Sequence, residues 1–194
     1  MSVKNTHPKY DRFAPQWSKV RDTYEGEEEV KRKTTQYLPA TDSMILDDMN
    51  GLGGERYKAY IMRAVFPDFV SEATDKMVSA MNQKEPTIEL PPSMEYLREN
   101  ATVHGETLVS LLRRINFEQL LVGRLGLLPD FDGETLQPQP RIALYTAEAI
   151  NNWYDPSLDN LQFVVLNESG QQVDPTSFEW QEVDKYRVLA LQDG

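Results

Sequence analysis

The run from Thr107 to Tyr154 constrains the fold most, because it switches period from helix to strand within a few residues. Leu108, Leu111, Leu112, Ile115 and Val122 fall on one face at helical spacing, with Ser110, Arg113, Arg114 and Glu118 on the opposite arc. That pattern predicts a core-facing helix starting after Gly105. Phe117, Leu120 and Leu121 spread the apolar surface at its end, so the last turns are expected to be buried on most sides, with Gly123 supplying a left-handed cap. Leu125, Leu127 and Leu128 then read as a short strand buried on both faces, ended by an Asp130-Phe-Asp-Gly133 turn. Arg141 to Tyr145 is a second strand, with Ile142 and Leu144 on one face and Ala143 and Tyr145 on the other. After it, Thr146 is placed to cap a brief helix with Glu148 in its first turn. The two strands are the expected seed of a sheet.

On either side of this run the chain sorts into helices first and strands last. Residues 1–42 lack a clean period and read as an N-terminal arm with short helical pieces, pinned to the body by Trp17 and Tyr37, since isolated large aromatics in a polar segment bury against something. Residues 43–194 read as one α+β domain, a helical N-terminal part packed on a small antiparallel or mixed sheet. Helical spacing at Tyr57, Tyr60, Ile61, Ala64 and Val65, and again at Val70, Ala73, Thr74, Met77, Val78 and Met81, predicts two helices broken at Pro67-Asp68. Pro86, Pro91 and Pro92 impose an extended passage, after which Ser93 is expected to cap a further helical segment. Strands are expected near 124–129, 141–146, 161–167, 178–183 and 186–192. Asp193-Gly194 is a strong hairpin signal with nothing after it. It reads as the place where an N-terminal piece of a longer protein stops, with one edge of the last strand left open to weak self-association. A chain extended by the returning strand would then be the more stable.

Charge and composition narrow the function. The 194 residues carry a net charge of −11, and residues 124–194 hold most of the excess: Arg124, Arg141, Lys185 and Arg187 stand against 12 acids. Tight nucleic-acid binding through that part lacks the cations it requires, whereas an acidic surface repels phosphates and keeps a polymer from sticking. With no cysteine and with only His7 and His104, neither thiolate chemistry nor a zinc centre is expected, and no cofactor is implied. No apolar run is long enough to span a bilayer.

Local motifs favour bland readings. Gly51-Leu-Gly-Gly54 lacks the Gly-Lys-Ser/Thr ending of a phosphate loop and reads as a turn into the next helix. His104-Gly-Glu106 lacks the two cysteines of a zinc deaminase, and Asp47-Asp48-Met-Asn50-Gly51 lacks the first ligand and the closing glutamate of a calcium loop. No nucleophile elbow is present, and carboxylates are too plentiful to single out a pair. Arg124, Arg141 and Arg187 are explained by ion pairs with the many acids, or by an interface role. No catalytic, metal or cofactor residue is nominated.

Taken in order, His7-Pro8-x-Tyr10, Trp17, Arg21-Asp22, Gly26-Glu27 with Val30-Lys31, Tyr37-Leu38-Pro39 and Tyr57-x-x-Tyr60-x-x-Arg63-Ala64 resemble the start of a family of tailed-bacteriophage portal proteins. The resemblance continues through Gly123-Arg124-Leu-Gly126, Arg141-Ile-Ala-Leu-Tyr145, Glu148, Ile150, Asn152-Trp153, Glu168 and Tyr186-Arg187-Val188-Leu189, and so covers His7 to Leu191. It implies the α+β wing region of a ring, usually a dodecamer, at one capsid vertex. Through such a ring a terminase packs DNA, and DNA later leaves. It implies no enzymatic activity. The implied partners are further copies of the chain, capsid protein, terminase and a head–tail adaptor, with DNA passing without sequence-specific contact and no membrane. The implied location is the virion, and the host cytoplasm during assembly. Trp17, Arg21, Asp22, Tyr37, Arg124, Arg141, Tyr145, Trp153 and Arg187 become the candidate structural or interface residues. The chain departs from the family in stopping before the stem, clip and crown. A small acidic adaptor is the rival reading, and a hydrolase the weaker one.

Overall fold

The computed structural model describes residues 2–46, 54–131, 139–156 and 161–191, and it is α+β, with every strand pairing among those residues antiparallel. Asp47 to Gly53, the Asp132-Gly133 half of the expected turn and the Asp193-Gly194 signal lie outside the described residues. The chain divides into two compact units, Met1–Trp17 with Asn82–Gly194 and Ser18–Met81.

The expectation of an arm with short helical pieces is corrected at once, because Pro8–Glu25 is one 18-residue helix, α1, with Pro15 inside it. Tyr10, Ala14, Trp17, Arg21 and Tyr24 fall at helical spacing and are all buried or half-buried. Their stripe is made of aromatics and an arginine, so it does not register as apolar although it is covered. A shorter helix, α2 (Glu27–Arg32), follows with Glu27, Glu28 and Glu29 at its positive end and Lys31 and Arg32 at its negative end. Gly26 between the two has φ +90, and a Cβ there would lie 2.8 Å from Asp68 Oδ1, so only glycine fits.

The remainder of the Ser18–Met81 unit is α3 (Asp42–Leu46), α4 (Glu55–Arg63) and α5 (Phe69–Met81), the last two separated at Pro67 as their sequence requires. Tyr57 is buried, and its hydroxyl donates to the carbonyl of Leu38 at 2.8 Å. Thr74 and Val78 are the buried positions of α5, while Met77 and Met81 from the same expected stripe are more than half exposed. Tyr24 Oη donates to Asp75 Oδ1 at 3.0 Å and so fastens the end of α1 to α5.

In the other unit, Pro92–Arg98 is a 3₁₀ segment preceded by Pro91, with no side-chain cap, so Ser93 does not cap it as expected. The helix α6 (Leu108–Leu121) is capped by Thr107, whose hydroxyl accepts from Ser110 N at 3.2 Å. Its buried residues are Leu111, Glu118 and Leu121, so Glu118 belongs to the covered face and Leu120 to the exposed one, the reverse of their expected places. Gly123 ends it at φ +78, as expected of a left-handed cap.

Strands β1 (Leu125–Phe131) and β2 (Pro140–Thr146) form a two-stranded ribbon in which Gly126 faces Tyr145, Leu128 faces Ala143 and Asp130 faces Arg141. Leu127 is 48% exposed, so β1 is covered on one face and not on both. The brief helix expected after Thr146 is a single 3₁₀ turn, Ala147–Ala149, without a side-chain cap, and it runs directly into strand β3 (Ile150–Tyr154). β4 (Phe163–Asn167) lies between β3 and β7 (Tyr186–Ala190) in a three-stranded sheet. Before β7 comes a separate hairpin of β5 (Gly170–Val173) and β6 (Trp180–Val183); β5 was not anticipated, and β6 and β7 belong to different sheets.

A bulge at Asn151 shapes this sheet. Ile150 pairs with Leu166, Asn152 with Val165 and Trp153 with Val164, so one extra residue lies between Ile150 and Asn152. Since Leu166 and Val164 share a face of β4, Ile150 and Trp153 come to share a face of β3. Asn151 itself is buried, with its side-chain carbonyl unpaired, while its main-chain carbonyl accepts from His7 N at 2.9 Å.

Candidate functional site

The same-face residues of the two sheets define a groove. Ile150 and Trp153 from β3, Val164 and Leu166 from β4 and Leu189 from β7 line one side, and Gly126, Leu128 and Tyr145 from the β1–β2 ribbon line the other. The space between them has a volume of about 490 Å³, with Leu161 and Leu191 at its margin. That size suits apolar side chains or a small organic group. The walls are almost wholly apolar, and two arginines stand by them: Arg187, which faces the lining residue Leu166 across β4 and β7, and Arg124, which lines the groove itself.

The first of them, Arg187, is fully engaged. Its guanidinium pairs with Asp130 on β1 and, through Nε, with Glu168 Oε1 at 2.7 Å. Glu168 also accepts the Tyr145 hydroxyl at 2.7 Å and pairs with Lys185 Nζ at 2.9 Å. The network therefore ties the ribbon to the three-stranded sheet through charge-assisted bonds. Burial raises the Tyr145 hydroxyl, and its hydrogen bond to Glu168 raises it further, to about 12. Burial opposes ionisation of Glu168, yet the bonds from Tyr145 and Lys185 and the charge of Arg187 hold its carboxyl below the usual range. The bond to Asp130 raises Arg187.

Arg124, the second, stands just after the Gly123 cap and is placed differently. Its guanidinium carbon lies 4.0 Å from the ring centroid of Trp153 and 5.7 Å from that of Trp17, and no carboxylate among the described residues pairs with it. Burial lowers its pKa. His7 stacks on Trp153 at 3.9 Å with the planes 12° apart, and Tyr10 meets Trp17 edge-on at 5.5 Å. Beyond Arg124 and Trp153 lies a second depression of about 400 Å³ lined by Lys9, Phe13, Trp17, Val122 and Gly123. A half-buried guanidinium with free donors thus sits between an apolar groove and an aromatic depression.

The other candidate residues lie elsewhere. Arg141 donates to the carbonyl of Asn100 and stacks on Tyr96 at 5.1 Å, while Ile142 N donates to the carbonyl of Ala101 at 2.8 Å, so Arg141 fastens β2 to the preceding loop. Asp22, in the Ser18–Met81 unit, is buried and takes Lys33 Nζ at 2.5 Å together with the Tyr37 hydroxyl. Burial and that carboxylate push the Tyr37 hydroxyl up to about 12. Arg21 is half-buried beside Asp22 in sequence.

The nine candidates thus include Trp17 with Arg124 and Trp153, Asp22 with Tyr37, and Tyr145 with Arg187, while Arg141 is bound to Asn100 and Tyr96 and Arg21 stands next to Asp22 in sequence. Sequence reasoning left the hub acids Glu168 and Asp130, the counter-ion Lys33 and the stacked His7 without roles. They share no local signal: Lys33 ends a basic run and His7 stands in a polar stretch, so nothing beside them in sequence names their partners. Among the described residues no three His, Asp or Glu side chains are placed to hold a metal ion, and no helix is long and apolar enough to cross a membrane. Compared with known proteins, the chain matches no family model and no curated protein sequence.

Proposed function

We propose that this chain is the N-terminal, wing-type part of a portal protein of a tailed bacteriophage: a structural component of a ring at the capsid vertex, through which DNA is packaged and ejected and to which the tail is joined. The ordered motifs suggested this reading, and one observation supports it above the alternatives. Residues quoted for the resemblance, scattered from His7 to Arg187, are spent on one another: His7, Trp17, Arg124 and Trp153 stack together, Tyr145, Glu168 and Arg187 share a network, and Asp22 holds Tyr37. A pattern whose members brace the framework is what an assembly protein carries, and a catalytic pattern would instead converge on a cavity with free titrating groups.

On this reading the chain is not an enzyme, needs no cofactor and does not enter a membrane. Its partners are copies of itself in a dodecameric ring, capsid protein, terminase and a head–tail adaptor. It acts in the virion and, during assembly, in the host cytoplasm. The acidic character of residues 124–194 suits a conduit wall that DNA must not grip. The test is electron microscopy of the protein at the length its gene encodes, together with the identity of the neighbouring genes. Closed rings with a central channel, beside genes for a large terminase and a capsid protein, are expected. Particles that never close, or turnover of nucleotide, ester or peptide substrates that is lost on mutating a carboxylate, would overturn the proposal.

A further inference from the structure

The groove beside Arg124 has a counterpart on the same molecule. The β5–β6 hairpin carries Phe178, 78% exposed, and Trp180, 69% exposed, although aromatic rings of this size are normally covered. Phe178 also has φ 57, a conformation in which a bulky side chain is held at a cost. The loop that presents it is held by Asp174, whose Oδ1 accepts from Thr176 N at 2.7 Å and Ser177 N at 3.2 Å. Trp180 faces Val173 across the hairpin and Glu182 faces Gln171, so Trp180 and Glu182 stand two residues apart on one face of β6. Glu182 is exposed and has no ion-pair partner among the described residues.

We propose that the β5–β6 hairpin of one copy of this chain docks in the Arg124 groove of a second copy, Trp180 entering the apolar space and Glu182 pairing with Arg124. Three complementary facts carry this. The hairpin offers a large apolar ring and, two residues on along the same face, an acid with no ion-pair partner among the described residues. The groove offers about 490 Å³ of apolar space with a guanidinium at its edge that no carboxylate among the described residues pairs with, and Lys9 lies in the adjoining depression. In a stretch where acids outnumber cations three to one, Arg124 lines the groove and yet no acid among the described residues pairs with it. Pairing it with Glu182 would desolvate both charges against apolar walls, where such a pair is directional and selective.

The contact joins different surfaces of the two copies, so it is heterologous and generates a ring if the rotation closes and an open chain if it does not. Its closure into a ring rests on the portal reading. The hairpin-in-groove contact itself does not.

The experiment separates the two. Sedimentation velocity is run on the wild-type protein, on Trp180→Ala with the hairpin disabled, and on two groove variants, Arg124→Glu and Leu191→Asp. Leu191 lines the groove and is 63% exposed, so its replacement leaves the core alone. Each variant by itself should associate at least tenfold more weakly than wild type. An equimolar mixture of Trp180→Ala with either groove variant should form heterodimers and nothing larger, since only one competent hairpin and one competent groove remain. Unchanged association of all variants, a wild type that is monomeric throughout, or a mixture that stays monomeric would overturn the contact. Rings that survive Trp180→Ala would overturn the contact and leave the portal reading standing; open chains that the variants abolish would do the reverse.

Discussion

Arg124 and Arg187 lie in the same acid-rich stretch, the first lining the groove and the second facing the lining residue Leu166 across the sheet, and they differ in what surrounds the guanidinium. Arg187 has Asp130 and Glu168, and through Glu168 it is linked to Tyr145 and Lys185. Arg124 has two indole rings and no carboxylate among the described residues. The first arrangement pairs the guanidinium with two carboxylates of the chain, through Nη1 and Nε, and fixes the ribbon on the sheet. The second spends only the face of the guanidinium and leaves its edge, where the N–H groups point, for something else. Composition alone makes these two arginines equivalent, and only their neighbours separate a brace from an open binding group.

The largest effect should come from Arg187→Met. With the guanidinium gone, Asp130 and Glu168 are left as charges in a partly buried place, and the protein should lose about 2–3 kcal/mol of unfolding free energy in a urea titration. A loss below about 0.5 kcal/mol would make the network decorative. The same network has a pH signature. Glu168 titrates below its unfolded value, so its contribution is complete above the ordinary glutamate range and is lost as pH falls through its folded value. Wild type should therefore lose stability in that acidic window, and Arg187→Met should lose less over the same interval.

Tyr145→Phe is the next step down. It removes one of the bonds that hold Glu168 ionised while keeping the ring that lines the groove, and should cost about 1 kcal/mol. The residual bonds from Arg187 and Lys185 limit the loss. If Tyr145→Phe matched Arg187→Met, the hydroxyl and not the arginine would be the keystone.

How much of this was legible in the sequence depends on what each element uses for its inner face. The Thr107 helix, its Gly123 cap and strands β1, β2 and β4 cover aliphatic side chains, and their pattern shows; β7 shows through its alternation, although Val188, Leu189 and Ala190 are exposed. α1 covers Tyr10, Trp17, Arg21 and Tyr24, residues that hydropathy scores as mixed, and so it read as an irregular arm. β3 was hidden by its own bulge. Ile150 and Trp153 stand three apart, a helical interval, and they share a strand face only because Asn151 is the extra residue. The pins expected at Trp17 and Tyr37 are buried and half-buried, yet besides Tyr10 on its own helix Trp17 packs on Arg124, more than 100 positions away, and Tyr37 on Asp22, 15 away. No local period could supply those partners.

Arg124→Met should cost less again, under about 1 kcal/mol, because it keeps a long side chain on the indoles and strands no carboxylate. Denaturant melts run beside Arg187→Met place the two arginines on one scale. Equal losses would abolish the distinction between them.

The smallest effect tests whether Arg124 acts on its surroundings through charge. His7 is stacked on Trp153, and its Nδ1 accepts the Lys9 N–H at 3.0 Å, an arrangement available only to the ring unprotonated at that nitrogen. Burial lowers its pKa below the ordinary 6.5, and Lys9 and Arg124 lower it further against the opposing charge of Asp11. A group whose folded pKa is depressed contributes stability that is complete above its unfolded pKa and is lost as pH falls through the folded one. Acidification from about pH 7.5 to pH 5 should therefore loosen the stack, seen as a change in Trp fluorescence, and should weaken the protein slightly. An NMR titration reads the site directly, since His7 and His104 are the only two imidazoles. In Arg124→Met the His7 midpoint should move up by a few tenths of a unit at most, because burial is the leading cause and remains. A His7 midpoint that stays fixed would mean that Arg124 sits on the indoles as a flat apolar plate whose charge is already neutralised, and the contrast with Arg187 would then be one of geometry alone.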